Sequence, residues 1–423
     1  MKRIPAYLKN KAALLTGILL LQNSFVLAAP VQLSLEESIS LALRNNPAVQ
    51  ISEADRERSA WGVTEAKSGR YPTVSLNSGY AVNDQSGGLF DGNTNSSIRM
   101  DWKMHSDGRV QNQIEQAKLG LTSADLNIEK TKQQLKLDTT TAYYNVLQAG
   151  NMVAVGQESV NNLKEHQKVV QAKYEAGIVA KSDILRAEVE LANAEQNLIK
   201  YNNQHVLAVT NLNNLMNSSA DTELELIDAL KYEADSRTLE ESLQLAKANR
   251  PEIAQADVSV RSADVSVKQA SSGTLPLITL SAATGLSDGA QRSDDWSVGL
   301  TASWNVFDGG SSKAKLKQAQ SSRDKAALQS EQVADNVEQE VRQSYLSMRE
   351  AEKRLETVNV TVDKAKEDLY IAREKYKAGV GTNLDVIDAQ LALNQAKTNH
   401  VQALYDYNVN RSKLDKAIGS RVN

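Results

Sequence analysis

Asp385 and Asp388 stand three residues apart, so on a helix their carboxylates share one face. A pair of this kind attracts cations. Repeated around an axis by several copies of the chain, it becomes two stacked carboxylate rings that a multivalent ion can plug. Like charges crowded this way raise one another's proton affinity, so a ring is expected to titrate above an isolated Asp. An isolated Asp-x-x-Asp is otherwise an ordinary solvated face, and spacing alone leaves an outward orientation open. Two related segments frame the pair: Tyr174-Glu175-Ala176-Gly177-Ile178-Val179, followed by Ala180-Lys181-Ser182-Asp183, and Tyr376-Lys377-Ala378-Gly379-Val380-Gly381. Each glycine permits the left-handed turn that stops a helix and lets another helix approach closely. Beside it, Ile178 or Val380 offers a small apolar contact. The plain alternative is a helical turn with a glycine cap and no partner.

Other chemistry is scarce. The chain has no cysteine, which excludes disulfides, a cysteine nucleophile and an N-terminal lipidated cysteine. His105, His166, His205 and His400 are scattered without ligand spacing, and each reads as a surface or packing residue. There is no G-x-S-x-G, P-loop, H-E-x-x-H or dinucleotide glycine pattern. No enzyme activity, no bound metal and no cofactor are expected. Acidic residues outnumber basic ones, 52 to 48, which argues against nucleic acid as a partner.

The elements that must position the tips are long helices. From Ser311 to Ala378 there is neither proline nor glycine, a helix of roughly 100 Å at about 1.5 Å per residue. Its counterpart from Arg109 to Ala176 holds only Gly120, Gly150 and Gly156. The chain is in fact written twice. Leu35-Glu36-Glu37-Ser38 with Asn46-Pro47 returns as Leu239-Glu240-Glu241-Ser242 with Arg250-Pro251. Trp102 matches Trp304, and Asp107-Gly108 is matched to Asp308-Gly309. A basic, then apolar leader ending at Val26-Leu27-Ala28 reads as a signal peptide over 1–28. The first repeat covers 29–217, a linker 218–236 and the second repeat 237–423. Each repeat opens with short helices and closes with a long α-hairpin, about 109–217 and about 311–418.

Between these, the hydrophobic period changes to two. Strands are expected at about 72–84 and 96–104, and at about 276–287 and 296–306, each with one apolar and one polar face. Gly/Ser/Asn/Asp-rich loops are expected at Asp84–Asn95 and Asp288–Asp295. Such strands are long enough to cross an outer membrane, which needs about 9–11 tilted residues. Trp102 and Trp304 sit where an aromatic girdle meets the lipid interface. The plain alternative is a half-buried hairpin on a soluble core. A lipid-facing sheet must have no open edge, and four strands are too few to close a barrel, so several copies must pool them. Three copies make a twelve-strand β-barrel and a ring of twelve helices. The competing reading is a periplasmic coiled-coil tether of the outer membrane.

At this point the sequence resembles the TolC family of outer-membrane efflux proteins over its whole mature length. The residues that carry the likeness are Thr139-Thr140-Thr141-Ala142-Tyr143-Tyr144-Asn145-Val146-Leu147, the two helix openings ending in proline, Leu275-Pro276-Leu277-Ile278-Thr279-Leu280, and the two tips. The resemblance implies a mainly α homotrimer with a membrane β-barrel, set in the bacterial outer membrane and extending into the periplasm. It implies an exit duct for drugs or for proteins of type I secretion. The partners would be outer-membrane lipid, a periplasmic adaptor and an inner-membrane pump or ABC transporter. It assigns Asp385, Asp388, Asp183 and Tyr376 to a periplasmic gate. Adaptor docking falls to Gly177, Ile178, Val179, Gly379, Val380 and Gly381. The chain departs from the family pattern at Gly381, where an arginine latches the closed end, so the latch is expected to be weaker or built with Lys181 or Arg186.

Overall fold

A computed structural model of the chain describes residues 31–85, 89–272, 276–288 and 293–420; the expected signal peptide over 1–28 lies outside them. The first half runs β1 (Val31–Leu33), α1 (Leu35–Asn45), α2 (Pro47–Ser68), β2 (Thr73–Gln85), β3 (Leu89–His105), α3 (Arg109–Glu175) and α4 (Lys181–Leu215). The second runs β4 (Leu224–Leu226), α5 (Leu239–Asn249), α6 (Pro251–Ser271), β5 (Leu277–Asp288), β6 (Ser293–Ser303), α7 (Ser311–Lys377) and α8 (Asn383–Ala417).

The repeated Leu-Glu-Glu-Ser motif is a helix start. Ser34 accepts the Glu37 amide and Thr238 the Glu241 amide, both at 3.2 Å, and each glutamate accepts its cap residue's amide in return. Pro47 and Pro251 then occupy first helical positions, where a missing N–H costs nothing. α3 and α7 have 67 residues each, and α4 and α8 have 35. α3 and α7 therefore span roughly 100 Å, and their partners double back along half that length.

α3 and α8 pack along a polar seam within the chain. Its rungs are Gln148 Nε2 to Gln402 Oε1 at 2.7 Å, Asn394 Nδ2 to Ser159 Oγ at 2.6 Å, and the Lys397–Glu158 ion pair. α4 and α7 lie on the outside of this seam, and both carry exposed apolar stripes. On α7, Leu328, Leu346, Val360 and Ile371 are separated by near-whole numbers of turns; on α4 the stripe is Leu185, Val189, Ile199 and Val206.

The main sheet is antiparallel in the order β2-β3-β5-β6, so β2 and β6 are its edges. Its register lines up one apolar face across four strands. Val74, Met100, Ala282 and Val298 form one row; Leu76, Ile98, Thr284 and Trp296 form the next. The opposite face carries Thr73, Asp101, Ser281 and Gly299 in one row, with the Arg99–Asp101 ion pair and a Ser281–Asp101 hydrogen bond.

Four details differ from the sequence reading. The ladder of β2 and β3 continues to Gln85 and Leu89 through the segment expected as a loop, because backbone pairing extends a hairpin whatever its side chains' polarity. β5 and β6 pair from Leu277↔Ser303. Pro276 has no N–H to donate, so residues 304–306 leave the sheet rather than extending it. The counterpart of Asp107-Gly108 is Gly309-Gly310: both pairs are left-handed, and Gly108 and Gly310 are the residues that cap α3 and α7. Finally, β1 pairs in parallel with β4, which ties the 218–236 linker to the start of the chain. Tyr143, from the Thr139–Leu147 motif, is buried beneath them and donates to Leu33 O at 3.1 Å and to the Asp228 carboxylate at 2.7 Å.

Candidate functional site at the hairpin tips

Both tips are built by the same backbone device. Gly177 (φ 71°) and Gly379 (φ 78°) are left-handed. The Gly177 and Ile178 amides donate to Tyr174 O and Lys173 O, both at 2.8 Å. The Gly379 and Val380 amides donate to Tyr376 O at 3.2 Å and Lys375 O at 3.0 Å. Two end carbonyls of each long helix are thus satisfied, as in a Schellman stop. Ile178 and Val380 are left 68% and 78% exposed. Val179 is turned inward and packs on the tip core, so it offers less surface than its neighbour.

Gly381 closes the second tip tightly. A Cβ there would lie 3.0 Å from Lys375 Cβ and 3.1 Å from Tyr376 N. The Gly381 amide also donates to Lys375 O at 3.1 Å. A side chain at this turn would need the end of α7 to give by a few tenths of an ångström. Lys181 and Arg186, the alternatives expected for the latch, are both exposed on α4. Within the chain, the two hairpins are bonded at this end through Lys173 and His166 of α3 and Asp183 of α4.

Lys173 donates to the Tyr376 carbonyl and places its ammonium 4.3 Å from the Tyr376 ring centre. His166, also on α3, packs its ring 5.2 Å from that of Tyr376 and shares a 2.7 Å hydrogen bond with Asn383 Oδ1. Asn383 Nδ2 in turn donates to Asp183 O at 3.1 Å. One apolar core joins all four long helices here, with Val170, Ile184, Leu369, Tyr376 and Val386 among its members.

Of the gate residues expected, Asp385 and Asp388 are exposed on one face of α8. Thr382 caps that helix and accepts the Asp385 amide at 3.2 Å, while its own amide donates to Asp385 Oδ2 at 2.8 Å. That backbone bond, then the Thr382 hydroxyl, holds the Asp385 carboxyl below the usual carboxylate range. This opposes the upward shift expected from crowding. Asp183 is half-buried and enters the tip network through its carbonyl. Tyr376 is buried, its hydroxyl lacks a hydrogen-bond partner among the described residues, and burial followed by the Asp183 charge raises its pKa. Sequence reasoning missed His166 as a tip residue, since one histidine in a long polar helix carries no spacing signal.

At the far end of α3, Trp102 lies on the apolar side of the sheet, in the row of Leu280 and Leu300, with its indole N–H on Arg70 O at 3.0 Å. Trp304 is exposed just beyond β6. One chain therefore couples a two-faced sheet with open edges to two glycine-turned tips, the second of which carries the exposed Asp385 and Asp388.

The sequence profile of the outer membrane efflux proteins matches residues 38–218 and again 242–420, one match in each repeat. The chain belongs to the outer membrane efflux protein family. It is 25% identical over 396 residues to the outer membrane protein TolC of Escherichia coli, covering 89% of this chain and 80% of the relative. It is 25% identical over 295 residues to the alkaline protease secretion protein AprF of Pseudomonas aeruginosa, covering 67% of this chain and 61% of the relative. The CmeC outer membrane channel of Campylobacter jejuni superposes with a TM-score of 0.81 at 16% identity, covering 91% of this chain and 85% of that one. This family is one of transport proteins rather than enzymes.

Proposed function

We propose that three copies of this chain form an outer-membrane channel-tunnel, the exit duct of a tripartite efflux pump or a type I secretion system. The observation that carries the reading is the four-strand sheet, apolar on one face and open at β2 and β6, mounted on helices roughly 100 Å long. Open edges facing lipid are too costly to persist, so the sheet requires partners of its own kind. Three sheets close a barrel of twelve strands, with the polar face of Arg99, Asp101 and Ser281 toward the lumen and Trp102 and Trp304 at the lipid interface. The exposed stripes on α4 and α7 suit the same closure, α4 of one copy seating against α7 of the next.

In this assembly the tips meet at the periplasmic end. Asp385 and Asp388 line a cation-attracting gate, with Asp183 and Tyr376 beside them. Gly177, Ile178, Gly379, Val380 and Gly381, with Val179 at the edge, offer small exposed contacts to the hairpin of a periplasmic adaptor, which links the duct to an inner-membrane pump or ABC transporter. Membrane fractionation and bilayer recording test the reading together. The protein should sediment with outer membranes, migrate unheated as a trimer, and conduct in planar bilayers. A monodisperse monomer that stays folded without detergent, or a membrane protein without conductance, would overturn it; the latter is what a coiled-coil tether predicts.

A further inference from the structure

We propose that His166 is the positioning residue of the closed tip, seated there only as a neutral imidazole, so that acid loosens this end of the channel. The inference rests on the duct reading above and concerns the link between the two hairpins of one chain.

The α3–α8 seam ends at this residue. Its rungs at Gln148–Gln402 and Ser159–Asn394 are neutral amides and a hydroxyl, with no proton to gain in mild acid. The third rung is the Lys397–Glu158 ion pair, which contains no imidazole. The last rung, His166–Asn383 at 2.7 Å, is the one that can change charge near neutrality. Geometry also assigns the proton. Asn383 turns its amide NH2 toward Asp183 O, which leaves Oδ1 toward the imidazole as an acceptor. His166 Nε2 therefore donates, and the bond crosses from α3 through α8 to α4.

The surroundings disfavour a second proton. His166 is only 7% exposed, and α7 packs the Tyr376 ring against it. Beside the ring, α7 contributes Arg373, whose charge acts on the imidazole, and Lys377, whose ammonium is paired with Glu374; α3 contributes Glu165 and, across the Tyr376 ring, the Lys173 ammonium. From α8 comes the neutral Asn383 amide, and from α4 the Asp183 carbonyl. Glu165, Val169, Arg373, Tyr376 and Lys377 line a partly open recess of about 110 Å³ beside the ring, but the imidazole itself is almost wholly out of water, which penalises an imidazolium. Burial pushes the imidazole below its ordinary value; the Asn383 bond opposes this and Arg373 reinforces it. The sign follows by linkage. The packed tip binds fewer protons than an opened tip, in which the ring titrates normally. The packed tip is therefore fully favoured above the ordinary imidazole value, and that preference is lost as pH falls below it.

The test is single-channel recording of the full-length trimer, with the tip side taken from about pH 7.5 to about pH 5.5, the span over which an imidazole changes charge. The wild type should open several-fold more often at the acid end. His166→Gln keeps a neutral donor without a titratable ring and should stay as closed at the acid end as at the alkaline end. Asn383→Ala removes the acceptor and should be open at both, while still migrating as a trimer. A wild type indifferent to pH, a His166→Gln channel with the wild-type pH response, or a closed Asn383→Ala channel would each overturn the latch and leave the duct intact. Absence of any conductance would remove the duct reading and the latch with it.

Discussion

Thr382 and Asp385 hold each other's backbone amides: the Asp385 carboxylate receives the Thr382 N–H at 2.8 Å and the Thr382 hydroxyl receives that of Asp385 at 3.2 Å. The acidic pair at the tip is therefore tied to the first turn of α8, and its position is set by a capping box rather than by charge alone. Glu37 and Glu241 play the same part in α1 and α5. At the tip, the carboxylate that starts the helix is also one of the two exposed on that face of α8.

This makes the charge at the tip persistent. Because capping depresses the Asp385 pKa, its stabilisation of the first turn is complete above the ordinary carboxylate value and is lost only as pH falls through the lowered one. Cation preference should therefore survive to about pH 4, the ordinary range of a free Asp. Replacing Asp385 and Asp388 together by Asn should abolish both the preference and block by trivalent cations in single-channel recordings. Unchanged selectivity in the double variant would place both carboxylates on the outer surface.

The tip glycines are expected to tolerate no substitution quietly. Gly379 sits at φ 78°, a conformation that costs an ordinary side chain about 1–3 kcal/mol. Gly379→Trp should abolish export while the trimer still assembles, because the strain and bulk are confined to the exposed turn. Gly381→Arg should lower the temperature at which the trimer dissociates on gels, since its Cβ meets the last turn of α7 at 3.0 Å. Export at wild-type efficiency with both Gly177 and Gly379 replaced would show that adaptor contact does not pass through them.

The outer stripes give a third outcome. Ile371 is exposed on α7 in register with Val360, Leu346 and Leu328. If α4 of a neighbour covers this stripe, Ile371→Glu buries an unpaired charge and should cost several kcal/mol per interface. The expected result is monomer in unheated gels, with far-ultraviolet circular dichroism unchanged. A stable trimer in this variant would mean that α7 faces water.

The features most legible in the sequence are those that punctuate a backbone. Absence of proline and glycine marks α7, glycine after alanine marks both tips, and glutamate at the third helical position marks α1 and α5. What escaped depends on contacts distant in the chain. β1 and β4 have three residues each, too few for any period to emerge. The Asp84–Asn95 segment is turn-rich in composition, yet its residues 84–85 and 89–95 join the ladder, because the pairing partner, not the propensity, decides. His166 acquires its surroundings from α7 and α8, whose nearest residues lie some two hundred positions away. Helix phase is likewise invisible in a charged helix, and it alone decides which way Asp385 faces.

The two faces of β6 offer the sharpest test of the barrel. Trp296, Val298 and Leu300 alternate along the strand with Ser297, Gly299 and Thr301. Through the ladder, Val298 continues the row of Ala282, Met100 and Val74, and Ser297 continues that of Ala283, Arg99 and Ser75. If the first set meets lipid, Val298→Lys places an ammonium near the middle of the bilayer, at a cost of about 2–4 kcal/mol. The adjacent Ser297→Lys puts the same charge in a water-filled lumen and should cost little. Urea titration of the trimer refolded in lipid vesicles, followed by tryptophan fluorescence, measures both. Each trimer carries the change three times, so the contrast between neighbours should be large. Equal destabilisation by the two lysines would mean that the sheet has a dry interior rather than a lumen. Tolerance of both would mean that neither face meets lipid.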